Sequence, residues 1–457
     1  MLKKQLSALL FFILFLTVPV TTLASPLDEA KQTVKDLYVG DIHGNVNKAT
    51  SIEALMDMLD PYSSYFTPEE FEQYLNAVDL TSVGIGVVIE KVDTGILITQ
   101  LIDGGSAQKS GLVVGDTITA VDGSSTVPMT IDEASSLIKG KENSNVTLTL
   151  LREDGTIVKK TLIRKAFSLP NVTTALLYGN VGYISLSSFS NDTSSLVSNA
   201  ITTLKKQGAQ SFILDLQNNG GGYVTAAEQL IGMFPKTKYA YKLKESTGIS
   251  NVRALQQAVK FPVDTKVLIN TSSASSSEMT AAALLDQKAA TLYGQTTYGK
   301  GSMQGFYELS DGGILKLTIG HFLGPANTAI NNVGVKPNIV TTGNPLFRAH
   351  YDTITSQLST YKEHIGLQNV SATKPFTLNF SKPVADKINT SSVELVELGG
   401  QAVQVTLTME RNKLIVTPAQ PLDPKKEYAL IVHPKKKNHN GLTLQQGIYL
   451  PIQLANN

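Results

Sequence analysis

The period at which apolar residues recur changes three times along this chain, and no single core satisfies four such patterns. Near the start the recurrence is helical: Ala30, Val34, Leu37 and Tyr38 share one face, and Ile52, Leu55, Met56 and Leu59 another. From about 81 to 166 it shortens to strands and turns, with apolar runs at 87–89, 96–99, 117–121 and 146–151 around one helical stretch, 131–138. Between 167 and 347 strands (181–187, 211–216, 266–270) alternate with helices (196–206, 226–233, 278–285), the signature of an α/β layer. The final pattern is two-periodic, in Phe376, Leu378 and Phe380, then Val403, Val405 and Leu407, Leu414 and Val416, and Tyr428, Leu430 and Val432. That pattern predicts a small β-sandwich. The expected architecture is multidomain α/β: a leader over 1–24, a helical segment over 25–80, a strand-and-turn domain over 81–166, an α/β core over 167–347, a helix and linker over 348–372, and an all-β sandwich over 373–457.

Several chemistries are ruled out at once. The chain has no cysteine, so thiol nucleophiles, thiolate metal sites and disulfides are absent. Its six histidines show no H-E-x-x-H spacing, so no metal site is expected. A formal net charge of +1 provides no field to gather nucleic acid. At the N-terminus Lys3 and Lys4 precede an apolar run at 9–16 that continues through 18–20, and Leu23-Ala24-Ser25 follows. This charged, apolar, small-residue order predicts a secretory signal cut after Ala24, with an uncleaved anchor as the alternative; either exports the rest.

Four segments offer chemistry. Ser272-Ser273-Ala274-Ser275-Ser276-Ser277-Glu278 joins a strand to a helix, where a hydroxyl and backbone N–H groups are presented together. The same serines and glutamate read equally as a helix N-cap. Thr297-Tyr298-Gly299-Lys300-Gly301-Ser302-Met303-Gln304 sets a lysine between two glycines: a surface turn, or a desolvated base of the kind paired with serine nucleophiles. Gly294 with Gly299-Lys300 imitates a phosphate loop, but Gly301 replaces the hydroxyl residue that would hold magnesium. Asp215-Leu216-Gln217-Asn218-Asn219-Gly220-Gly221-Gly222 ends a strand in glycines, which suit either an anion nest or a mobile hinge. Val83-Gly84-Ile85-Gly86-Val87 is a glycine loop feeding an apolar strand: a carboxylate-binding loop, or an ordinary strand that happens to carry glycine.

Together these motifs, over residues 60–340, resemble the carboxyl-terminal processing, or tail-specific, proteases. Asp60-Pro61-Tyr62-Ser63-Ser64-Tyr65 is similar to that family's approach to its PDZ domain, and Ser110-Gly111 with Gly115-Asp116 to its Gly-Asp turn. Ser273–Glu278 is similar to its S-A-S-A-S-E, Thr297–Gln304 to its T-F-G-K-G-x-x-Q, and Gly334-Val335-Lys336-Pro337 to its closing segment. The resemblance implies a PDZ domain followed by a crotonase-like core. It makes Ser275 the nucleophile, Lys300 the base, and Gln304 the residue that orients the lysine. Ser276 and either Gly221 or Gly222 would form the oxyanion hole, and Asp286 would support the site. Gly84, Ile85, Gly86 and Val87 would hold the substrate's C-terminus, and the PDZ domain would gate the site as well as feed it. No cofactor is implied.

This chain departs from the family pattern in places. Ser276 replaces alanine, Gln217 and Gly220 replace arginine and proline, and Gly320-His321-Phe322-Leu323-Gly324-Pro325 replaces an Arg-Tyr-Tyr-Thr-Pro-Ser-Gly type segment. The residues from 374 to 454 resemble bacterial Ig-like modules, whose role here would be envelope contact, spacing, or a structural cap.

The implied activity is an exported serine endopeptidase acting on proteins with free apolar C-termini, with a homo-oligomer left open. A non-catalytic peptide-binding scaffold is the first alternative. A histidine-based serine protease using His321 or His433 is the second, and the absence of a G-[DN]-S-G-G segment counts against it.

Overall fold

Strands with an unbroken apolar run must bury both faces, and three strands with such runs lie side by side and parallel: Ser211–Asp215, Lys266–Ile269 and Thr291–Gly294. They form the centre of a sheet completed by Val172–Leu177, Val181–Leu186 and Ile339–Val340. Only the first pair is antiparallel. Phe212, Leu214, Val267, Ile269 and Leu292 point to one side, into a core shared with the helices Thr193–Lys206, Val224–Ile231 and Ser276–Asp286. Ile213, Leu268 and Tyr293 point to the other side, where the helix Pro345–Ser356 lies.

The computed structural model describes residues 25–379, 392–434 and 446–455. The leader expected over 1–24, Phe380 with the Ig-like residues that follow it, and the basic run 435–437 lie outside them. The chain divides into two compact units. One comprises the described residues up to 171 together with 305–317, and the other comprises 172–304 with the described residues from 318. The stretch 305–317 lies inside the expected α/β core by sequence yet packs with the first unit.

In the first unit, Ser25 and Thr67 cap the helices Pro26–Leu37 and Pro68–Val78, each with proline in its first turn. Between them the expected helical texture is interrupted. Asp60 accepts hydrogen bonds from the N–H groups of Tyr62 (2.8 Å) and Ser63 (3.0 Å). The chain then enters a strand, Ser64–Phe66, paired with residues 314–316. A partner 252 positions away in sequence (Ser64↔Lys316, 316 − 64) decides that conformation, which no local pattern encodes.

The expected PDZ segment folds as a sheet of Val87–Val92, Gly95–Leu101, Thr117–Val121, Asn145–Leu151 and Ile157–Ile163, with the helix Ile131–Ile138 against it. Val87–Val92 is an edge strand, paired only with Gly95–Leu101 among the described residues.

The C-terminal segment is a sandwich. One sheet holds Val393–Glu397, Ala402–Val403, Glu427–Val432 and Ile448–Leu454; the other holds Phe376–Asn379, Val405–Glu410 and Lys413–Pro418. Lys362–Glu363 and Leu367–Val370, within the expected linker, join the first sheet alongside Ile448–Leu454.

Candidate active site

The C-terminal ends of the three central strands open into the three segments singled out in the second unit, so the sheet's register gathers them at one edge. The serine segment is the most constrained. Ser275 has φ 55° and ψ −113°, a left-handed conformation that costs a non-glycine residue of order 1–3 kcal/mol. The helix begins at the next residue. Ser275 is half-buried, and its neighbours Ser276 and Ser277 are fully buried.

Glu278 is completely buried and accepts four hydrogen bonds. One oxygen takes Thr297 Oγ1 and the Gly299 N–H, both at 2.6 Å. The other takes the N–H of Ser275 at 2.9 Å and the N–H of Lys300 at 2.8 Å. A single carboxylate oxygen thus holds both backbone positions expected to supply nucleophile and base. The two glycines around Lys300 follow from crowding. A Cβ on Gly299, where φ is 99°, would lie 3.2 Å from Val333 N, and one on Gly301 would lie 2.5 Å from Asn331 N.

The glycine segment is tied to the serine segment along its length. Ser273 donates to Leu216 O (2.7 Å), Ser277 to Asn219 O (2.8 Å) and the Ser276 hydroxyl to Gly222 O (3.0 Å). Asn218 and Asn270 exchange two further bonds. Gly221 lies directly on the serine, since a Cβ there would be 2.8 Å from Ser275 Cβ. Its N–H donates to Asn219 Oδ1 at 2.9 Å. Gln217, standing where the family carries arginine, folds back on Asp215: its N–H and its side-chain amide donate to that carboxylate at 2.8 and 3.0 Å. Tyr183 donates to it as well, at 2.7 Å. Burial nonetheless pushes the Asp215 pKa up.

The other expected residues have partners of their own. Gln304 donates from Nε2 to Ser302 Oγ (3.0 Å) and Thr318 Oγ1 (3.1 Å). Asp286 lies at the far end of the serine helix, about 16 Å along its axis from Ser275. There it accepts from Ala326 N (2.7 Å) and Thr328 Oγ1, bracing the turn after the strand Ile314–Leu323. In the PDZ segment, Gly84 pairs with Lys165, and Ile85 and Gly86 use their carbonyls to accept from Ala107 N (2.7 Å) and Ile102 N (3.0 Å). Val87 then begins the edge strand. His433 belongs to the sandwich, bonded to Glu394 and Tyr361. Sequence reasoning missed the linking role of Glu278 and the part played by Asn219. A capping glutamate and a turn asparagine were sufficient local explanations for both.

The family model for peptidase family S41 matches residues 180–341, a PDZ model matches 97–152, and a bacterial Ig-like model matches 354–448. The carboxy-terminal processing protease CtpA of Bacillus subtilis is 32% identical over 315 residues, which is 68% of this chain and 68% of that protein. The chain belongs to peptidase family S41. It is therefore a serine protease of the carboxy-terminal processing type, with a PDZ domain and an Ig-like domain. A probable CtpA-like serine protease of Staphylococcus aureus is 33% identical over 66% of this chain, which spans 62% of that relative's length. Among solved structures, the photosystem II D1 C-terminal processing protease is 25% identical, with 72% of this chain and 96% of that one covered and a TM-score of 0.46.

Proposed function

We propose that this S41 member is an exported endopeptidase in which Ser275 is the nucleophile and Lys300 its general base, acting on proteins captured by their C-terminal residues. The observation that supports it is the bridge at Glu278, which receives the N–H groups of Ser275 and Lys300 on one oxygen. In this reading the Ser275 hydroxyl attacks the scissile carbonyl as Lys300 takes its proton. The tetrahedral oxyanion draws on the N–H of Ser276, the first residue of a helix, and on that of Gly222, because the Gly221 N–H already serves Asn219. Lys300 then gives its proton to the departing amine, and water, deprotonated by the lysine, releases the acyl group. Gln304 would steady the lysine, and Asp286 would act only through the 324–328 turn. The substrate's tail adds as a strand to the Val87–Val92 edge with its carboxylate at 84–86. The charged and apolar N-terminal order supports export.

The test is incubation of the chain from Ser25 onward with an unfolded protein ending in apolar residues, beside Ser275→Ala and Lys300→Ala. The parent alone should cut, with each variant down by at least about a thousandfold. Undiminished cutting by Lys300→Ala would rule out the lysine as base. Tail binding without cutting by the folded parent would leave a gated enzyme or the scaffold, and deleting the PDZ segment 81–166 would separate the two.

A further inference from the structure

The sequence leaves the Ig-like domain three roles: envelope contact, spacing, or a cap. Its own strands decide between an arm and a layer. A free sandwich alternates apolar residues inside with polar residues outside. The strand Glu427–Val432 does not alternate, because Ala429 and Ile431 occupy the outward positions and are 1% exposed each. On the neighbouring strand Val396 is likewise outward and fully buried. These side chains join Leu398 in one apolar cluster with Ile213, Leu268 and Tyr293 of the central sheet and with Phe347 and Ile354 of the helix Pro345–Ser356. The three sheet residues lie on the strands that lead into the glycine, serine and lysine segments.

Polar contacts lock the same boundary. The turn at Gly399-Gly400 lies against the hairpin turn at Tyr178: Tyr178 N donates to Gly400 O at 2.9 Å, and Gln401 donates to Leu176 O. His350, fully buried, bridges the two sides, accepting from Gly399 N at Nδ1 and reaching Tyr178 O from Nε2, both at 2.9 Å. The Tyr178 hydroxyl donates to Glu394, which His433 also engages at 2.8 Å. Gly399 has φ 79°, and a Cβ there would sit 2.9 Å from Leu346 Cδ2, so the fit admits little else.

We infer that the Ig-like domain is the outer layer of the catalytic domain rather than a tethered binding arm, and that the catalytic domain and the sandwich fold and melt as one body. The occupant of this apolar sheet face is therefore the chain's own C-terminal domain. The inference does not depend on the Ser–Lys assignment, because its decisive readouts are physical association and melting.

The experiment uses the whole chain from Ser25 with a site for a specific protease introduced in the exposed turn at Ser359-Thr360. After cutting, the two fragments should co-elute at the mass of the uncut protein and melt in one transition at the uncut protein's temperature. Leu398→Asp, at the boundary but outside the sandwich's own core, should lower that temperature by about 5–10 °C and let the cut fragments part. Thr408→Asp, on the exposed outer sheet, should do neither. Clean separation of the parent's fragments, with the catalytic fragment melting at an unchanged temperature, would overturn the inference.

Discussion

At the scale of single residues the site depends on Glu278. Glutamine at 278 has the same shape but one acceptor oxygen in place of two, so its NH₂ would face either Ser275 and Lys300 or Thr297 and Gly299. Each buried N–H left without an acceptor costs about 1–3 kcal/mol. Glu278→Gln should therefore lower kcat by roughly tenfold to a thousandfold while KM changes little, since the substrate's tail is held elsewhere. Kinetics at parent-like helicity would check it, and a parental kcat would refute the bridge. Gly221→Ala makes a parallel case. Its Cβ would come within 2.8 Å of Ser275 Cβ at a φ of 105°, so near-complete loss of cleavage is expected with the protein still folded. The serine and lysine segments stand out in the sequence as candidates because short motifs carry them. The second task of Glu278 does not, because its bonds to Gly299 and Lys300 span 21 and 22 positions and a capping box already accounts for a glutamate there.

At the scale of elements, strands and helices of the α/β core were legible because buried parallel strands leave continuous apolar runs. Elements defined by a distant partner were not: the strand Ser64–Phe66, and the outward face of Glu427–Val432, where Tyr428, Leu430 and Val432 carry the two-residue period and the burial of Ala429 and Ile431 depends on residues far away in sequence. The helix Ile131–Ile138 of the PDZ domain shows how an element can depend on one remote side chain. Arg164, buried, donates to the last carbonyls of that helix, Leu137 O at 2.7 Å and Ile138 O at 2.9 Å, and to Asn145 O at 2.6 Å. Cations at a helix C-terminus also meet its dipole favourably. Arg164→Ala should fray this helix and weaken binding of a labelled peptide with an apolar C-terminus by about tenfold, with kcat at saturation preserved. Unchanged affinity by fluorescence titration would mean that the helix end holds itself.

At the scale of the whole molecule, the second unit stacks helices, parallel sheet, the helix Pro345–Ser356 and two sandwich sheets, and a titratable group sits fully buried in the middle of that stack. His350 is bonded in the neutral form, accepting at Nδ1, and burial holds its pKa below the ordinary histidine value despite the bond to Tyr178 O. The unfolded chain therefore binds this proton more readily than the folded one. Stability conferred by the neutral ring is complete above about pH 6.5 and is lost as pH falls from there toward the depressed folded value. One proton limits the slope to about 1.4 kcal/mol per pH unit. Buried Asp215 works in the opposite sense, since burial raises its pKa and favours the folded state as pH falls. Glu394, whose pKa is lowered mainly by its bond to His433, adds a loss only once pH drops below the ordinary glutamate value. Glu228 and Glu427, raised by burial, act as Asp215 does, so the histidine's share is the difference between the parent and a variant that lacks it. As pH falls from about 6.5 to 5, the melting temperature of the parent should drop relative to that of His350→Gln, whose amide can replace part of the bridge without titrating. Equal slopes for the two proteins would place the proton uptake somewhere other than the boundary between sheet and sandwich.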